Sequence, residues 1–126
     1  MSDRLLLDTH VALWWWANDE RLALTAREAI ADASLVFVSA ASAWEVAIKS
    51  ALGRVSLPQS FPVGVHQSGF IELPIAFDHA AAVEFLPPHH ADPFDRMLLA
   101  QAKVDRLVLV THDRRFERYG QAVIWT

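Results

Sequence analysis

The chain has 126 residues, of which 53% are hydrophobic and 21% charged, with a formal net charge of −4 and a pI near 5.8. This length suits one domain over 1–126 burying roughly two-thirds of its unfolded surface, and the charge removes any global attraction to nucleic acid, leaving only local arginines or bound cations to provide it. Cysteine is absent, the longest apolar run is the seven residues Val11–Ala17, and Asp3, Arg4 and Asp8 break any signal-like start, so a secreted or membrane-spanning chain is not expected and the cytoplasm is the default compartment.

Residues 5–7 (LLL) read as a buried strand that stops on Asp8, and Thr9 leads into a helix carrying the apolar run. Trp14, Trp15 and Trp16 spread over about 200° of that helix, so they cannot all face one sheet. Either a neighbouring helix such as 25–33 covers the outward rings, or part of the set lines a subunit or partner surface, which is the expectation adopted here. Residues 25–33 (TAREAIADA) form a helix with a threonine cap, 35–38 (LVFV) a second strand, and 39–53 a helix running from a serine cap to Gly53. A third strand follows at 70–73 (FIEL), then an alanine-rich helix over 76–86 stopped by Pro87 and Pro88. Asp92 caps a helix over 92–104 with Pro93 in its first position, and strands at 107–110 (LVLV) and 123–125 (VIW) complete the chain. Aliphatic strands alternating with helices imply an α/β fold whose mostly parallel sheet of four to five strands is covered on both faces.

In such a sheet, sites form beyond the carboxyl ends of the strands. Asp8 follows the first strand and Asp113 the fourth, while Glu45 and Asp95 lie within the first two turns of their helices, so all four acids are placed on one rim. Each also has a local structural role open to it. Asp8 can cap the helix that begins near Thr9, Asp113 can start a turn, Glu45 stands at capping-box spacing from Ser42, and Asp95 stands three residues after Asp92. Capping alone does not explain four acids at one place, because carboxylates about 4 Å apart repel by ~4 kcal/mol at an effective dielectric of 20. A hard divalent cation resolves that repulsion, since magnesium is held by a few carboxylates, keeps several waters and activates one of them against phosphorus.

The stretches LLLDTHVALWW, SAASAWEVAIK, HHADPFDRMLLAQA and LVTHDRRF, in this order over nearly the whole chain, resemble a PIN domain of the VapC toxin kind. The resemblance implies an α/β/α sandwich around a parallel sheet and a magnesium- or manganese-dependent endoribonuclease, the toxin half of a toxin–antitoxin pair. It also implies a homodimer and a VapB-like antitoxin whose segment occupies the acidic site and an adjoining groove. Carried over position by position, the family's acidic site falls on Asp8, Glu45, Asp95 and Asp113, with Asp8, Asp95 and Asp113 on the metal and Thr9 and Thr111 as polar support.

Arg114, Arg115 and Lys49 are candidates for RNA phosphates, and Arg96, also a supporting candidate, is expected to pair with the neighbouring carboxylates. His10, His89, His90 and His112 lie near the acids but lack H-E-x-x-H spacing, and magnesium favours oxygen, so they read as solvated or structural. Two other functions compete. A haloacid-dehalogenase-type phosphatase needs a second aspartate two residues after the first, where this chain has His10. A catalytically inert PIN module that only binds a partner is separated from the nuclease by a cleavage assay.

Overall fold

The structure, a computed structural model, describes residues 3–126. Five strands, β1 (Arg4–Leu7), β2 (Leu35–Ser39), β3 (Ile71–Leu73), β4 (Val108–Thr111) and β5 (Val123–Trp125), form one parallel sheet in the order β3-β2-β1-β4-β5. β1 is the central strand, with Leu6 in register with Phe37 on one side and Leu109 on the other. Leu5 and Leu7 enter one core and Leu6 the opposite one, as the pleat requires. Both faces are covered, which is why the strands read as unbroken aliphatic runs; each fully buried leucine contributes roughly 1.5–3 kcal/mol.

On the Leu5 and Leu7 face lie α1 (Thr9–Ala17), α2 (Leu24–Asp32) and, following α3 (Ala40–Ala51), α4 (Phe61–Gln67), which contribute Val11, Ala26, Ile30, Phe61 and Val65. The other face is covered by α5 (Phe77–Val83) and α6 (Pro93–Asp105), with Leu98 and Leu99 packed against Leu6 and Leu109, and by Phe116 from a 3-10 segment, Arg114–Tyr119. α3 sends Ala41 to the second core and Val46 to the first. This is the expected α/β/α sandwich. No helix among the described residues is long and apolar enough to cross a membrane.

Several boundaries move for identifiable reasons. α2 begins at Leu24 with Ala23 at its cap position, so Thr25 sits inside the first turn and does not cap it. α4 is absent from the sequence reading, because seven residues containing Pro62 and Gly64 carry too little periodicity to register. Ser60 accepts from the Val63 amide at its start. α5 ends at Val83, three residues before the expected stop at 86.

α4 also decides the fate of the tryptophans. Trp14 is buried; Trp15 and Trp16 are half-buried against Phe70 and Phe61, and the Trp16 indole donates to Ser68 Oγ at 2.6 Å. α4 covers Trp16 through Phe61, while Trp15 packs on Phe70 and lines a cavity with Ile30 and Ala31 of α2, and both rings keep part of their surface exposed. Gly64 makes the close fit possible: a Cβ there would stand 3.1 Å from the Trp16 ring. The exposed aromatics lie elsewhere, at Trp44 (62% exposed), Phe77 (94%) and Phe85 (80%).

Candidate active site

From β1 the chain moves to β2 and β3 on one side and later returns through β4 and β5 on the other, so the loops leaving β1 and β4 diverge. A cleft opens where the strand order reverses. Asp8, Glu45, Asp95 and Asp113 all line it, together with Asp92 and Lys49, in a cavity of about 340 Å³. The four acids thus come from the ends of β1 and β4, from the second turn of α3 and from the first turn of α6.

Each acid is held by a different device. Asp8 is buried and caps α1, accepting from the His10 amide at 3.3 Å through Oδ1 and from the Thr111 hydroxyl at 2.6 Å through Oδ2. Thr111 in turn accepts the Asp113 amide at 3.1 Å, so one hydroxyl joins the two strand-end acids. Thr9 is the first residue of α1, not its cap, and donates to Glu45 Oε1 at 2.8 Å, while Lys49 reaches Glu45 Oε2 at 2.7 Å. Ser39 caps α3, accepting from the Ala41 amide, so the Ser42–Glu45 capping box does not form and Glu45 is free to face the cleft. Asp92 caps α6 by accepting from the Asp95 amide at 3.0 Å. Asp113 caps the 3-10 segment and takes the Arg115 guanidinium on both its oxygens, at 2.9 to 3.2 Å.

The electrostatics are uneven. Burial pushes the Asp8 carboxyl above the usual range, and the hydrogen bonds from Thr111 and His10 only partly offset it. Asp95 is pushed up to about 8, first by burial and then by the negative charges of Asp8, Asp92, Glu45 and Asp113. Asp113 goes the other way: burial raises it, but the side-chain and backbone donors of Arg115 outweigh that and leave it lowered. Neither Asp8 nor Asp95 has a lysine or arginine partner among the described residues. An all-carboxylate set with this much uncompensated charge fits a hard divalent cation, which prefers oxygen donors.

Two supporting residues stand otherwise than expected. Arg96 does not pair with Asp95; its guanidinium donates to the carbonyls of Val83, Leu86, Pro87 and His90 at 2.9 to 3.2 Å and so anchors the loop before α6. Lysine or arginine in a first helical turn can serve the backbone as readily as a carboxylate, and here four carbonyls of the turn and loop before α6 converge on it. Arg114 is exposed beside the cleft, stacked 4.3 Å from the Trp125 ring and loosely paired with Glu117. The histidines also divide. His10 and His112 are exposed at the mouth, with rings 5.8 Å apart, but His90 is buried with Nε2 2.8 Å from Asp95 and 3.3 Å from Asp113. Sequence reasoning passed over His90; the clue available was its position two residues before the Asp92 cap, in a loop stiffened by Pro87 and Pro88.

Comparison with known proteins gives the family and the fold. Residues 5–122 match the PIN domain family. Ribonuclease VapC22 of Mycobacterium tuberculosis is 35% identical over 122 residues, covering 91% of both chains. Among solved structures, DNA-bound VapBC from Salmonella typhimurium superposes with a TM-score of 0.71 at 21% identity, over 97% of each chain. VapBC2 from Rickettsia felis, bound to a promoter DNA fragment, gives 0.70 at 11% identity over 95% of this chain and 96% of that one.

Proposed function

The chain belongs to the PIN-domain family, and on that premise we propose that it is a magnesium- or manganese-dependent endoribonuclease, the toxin member of a toxin–antitoxin pair, acting in the cytoplasm as a PIN unit over 1–126. The observation that carries the proposal is the convergence of Asp8, Glu45, Asp95 and Asp113 on one cleft at the carboxyl ends of β1 and β4. A ribonuclease of 35% identity over 91% of the chain supports it.

On this reading Asp8, Asp95 and Asp113 hold the cation, which when bound supplies Lewis-acid activation of water and charge neutralisation at the phosphate. Thr111 keeps the Asp8 and Asp113 main chain and side chain in fixed relation, so two of the ligands need no rearrangement. Glu45, steered by Thr9 and Lys49, still has a free lone pair on each oxygen and takes the proton of the attacking water. Arg114 flanks the cleft and receives RNA phosphate, local positive charge on a chain that is acidic overall, while Arg115 is held on Asp113.

The partners on this reading are RNA, a second copy of the chain and an antitoxin whose segment enters the acidic cleft. Trp44 lines an apolar groove of about 450 Å³ between α3, α5 and α6, and Phe77 and Phe85 stand exposed at the two ends of α5. These are the side chains such partners would cover.

The test is cleavage of total RNA by the purified chain with Mg²⁺ or Mn²⁺. Activity is expected with either ion, is abolished by chelator, and is absent from the Asp8→Asn variant. Cleavage that survives both chelator and Asp8→Asn would reject the assignment, and a folded wild-type protein that cuts no RNA would favour the adaptor reading. Sequencing the RNA ends left after induced expression identifies the substrate.

A further inference from the structure

Among the described residues, one buried side-chain nitrogen or oxygen has no hydrogen-bond partner: Nε2 of His90. Its side chain is 1% exposed, and the ring is wedged edge-on against Phe116 at 5.4 Å, while the His90 amide donates to the Tyr119 hydroxyl at 2.8 Å. Burying an unpartnered imidazole nitrogen is costly, so such an atom calls for a ligand. The contrast with His79 is direct. His79 accepts the Ala76 amide on Nδ1 at 3.0 Å and meets Asp105 through Nε2 at 2.9 Å, the fully partnered state of a histidine that serves packing.

His90 Nε2 does have oxygens close by, Asp95 Oδ2 at 2.8 Å and Asp113 Oδ2 at 3.3 Å, but neither lies where the ring nitrogen's in-plane direction can use it as a hydrogen-bond acceptor. One atom from each of the three residues falls within 4.8 Å of the others. Two ligands at right angles on bonds of about 2.1 Å stand roughly 3 Å apart, so these separations are those of neighbouring ligands around a common centre. On the far side of the ring, Nδ1 accepts the Asp92 amide at 3.4 Å, a long bond that metal binding would exchange for a proton on Nδ1, leaving the Nε2 lone pair for the ion. Arg96, through the His90 carbonyl, and Tyr119, through the His90 amide, hold the backbone on both sides of the ring.

We infer that His90 Nε2 is a nitrogen ligand to the divalent ion of the acidic cleft, making the site a mixed nitrogen–oxygen one that takes manganese-like transition ions in preference to magnesium. The inference rests on the reading of the cleft as a cation site and adds a ligand and a selectivity to it. Imidazole suits first-row transition ions, whereas magnesium gains little from exchanging an oxygen donor for nitrogen.

The experiment uses the full chain with Mn²⁺ and Mg²⁺ alone, without RNA. Calorimetric titration is expected to show Mn²⁺ binding at least about tenfold tighter than Mg²⁺, with His90→Gln weakening Mn²⁺ about tenfold or more and Mg²⁺ by no more than about threefold. Pulsed electron paramagnetic resonance of the Mn²⁺-loaded protein is expected to show coupling to a directly bound nitrogen, changed by ¹⁵N-histidine labelling and lost in His90→Gln but kept in His10→Ala. Bound Mn²⁺ without nitrogen coupling, or coupling that persists in His90→Gln, overturns the inference while leaving the acidic cation site standing. Failure of the wild-type chain to bind either ion at millimolar concentration overturns both. Should His90→Gln not fold, the isotope comparison is run on the His10→Ala/His112→Ala double variant, which lacks the two histidines lining the cleft: retained nitrogen coupling supports His90 and its loss overturns the inference.

Discussion

At the β1–β4 end of the cleft every oxygen of Asp8 and Asp113 is given a donor, whereas at the α6 end no hydrogen bond is donated to the Asp95 side chain among the described residues. Asp8 and Asp113 share Thr111, and Asp113 also takes Arg115, so their positions are set by the fold itself. Asp95 lies among four other acids, and the His90 ring 2.8 Å from it forms no hydrogen bond to it. One end of the cleft is preorganised and the other is left under charge repulsion. Such a division keeps geometry in place while reserving binding energy for an incoming cation.

The sharpest break in that contrast comes from Asp8, the acid that faces both ends. Asp8→Asn preserves shape and the hydrogen-bonding volume but removes a ligand charge, and RNA cleavage is expected to fall by about a thousandfold or more in a gel-based assay. A loss of less than about tenfold would move the chemistry away from this carboxylate.

Asp95→Asn tests the repelled end and should have the opposite sign on stability. With a folded pKa of about 8 against 3.8 for the ordinary group, Asp95 opposes folding when ionised, so its penalty is absent below about pH 4 and grows as pH rises toward 8. Asp8, also raised, acts in the same direction; Asp113, lowered, has the opposite effect, confined to the acid side of 3.8. Without metal at pH 7, Asp95→Asn is therefore expected to stabilise the chain by on the order of a few kcal/mol, read as a melting temperature higher by roughly 5–10 °C and a flatter dependence on pH between 4 and 8. Saturating Mn²⁺ should raise the wild-type melting temperature and leave this variant nearly unmoved. A variant that melts lower without metal would mean that Asp95 serves the start of α6 and is not under repulsion.

At the preorganised end, Thr111→Val deletes the donor to Asp8 and the acceptor for the Asp113 amide at nearly constant volume. A loss of about 2 kcal/mol in urea unfolding is expected, since a buried carboxylate oxygen is left without its donor. An unchanged midpoint would show that the two ends do not differ as described. The smallest effect belongs to the rim: Arg114→Ala should lower by about one the slope of log affinity against log salt for RNA, with the melting temperature unaltered.

The fold was legible because its signals are local. Runs such as 5–7 and 107–110 announce strands buried on both faces, and Ser39, Asp92 and Gly53 mark helix ends by the chemistry of orphan backbone groups. α4 was not legible, since its role is to close over Trp16, a contact 48 residues away that requires Gly64. The acids could be placed on one rim from strand and helix order, and Asp8 takes the helix cap and Asp113 the turn start weighed for them while both also line the cleft. Arg96 misled because adjacency to Asp95 in sequence says nothing about which carbonyls its long side chain will reach.

What the sequence determined by itself is the alternation of aliphatic strands and capped helices, and with it the rim on which the acids must lie, because side-chain periodicity and capping act over a few residues. Only the tertiary structure decided which hydroxyl serves which carboxylate, Thr111 meeting Asp8 across 103 residues and Thr9 meeting Glu45 across 36, and that His90 turns inward between Asp95 and Asp113. Those pairings depend on strand register and on how helices seat against the sheet, and these are settled by packing of the whole core.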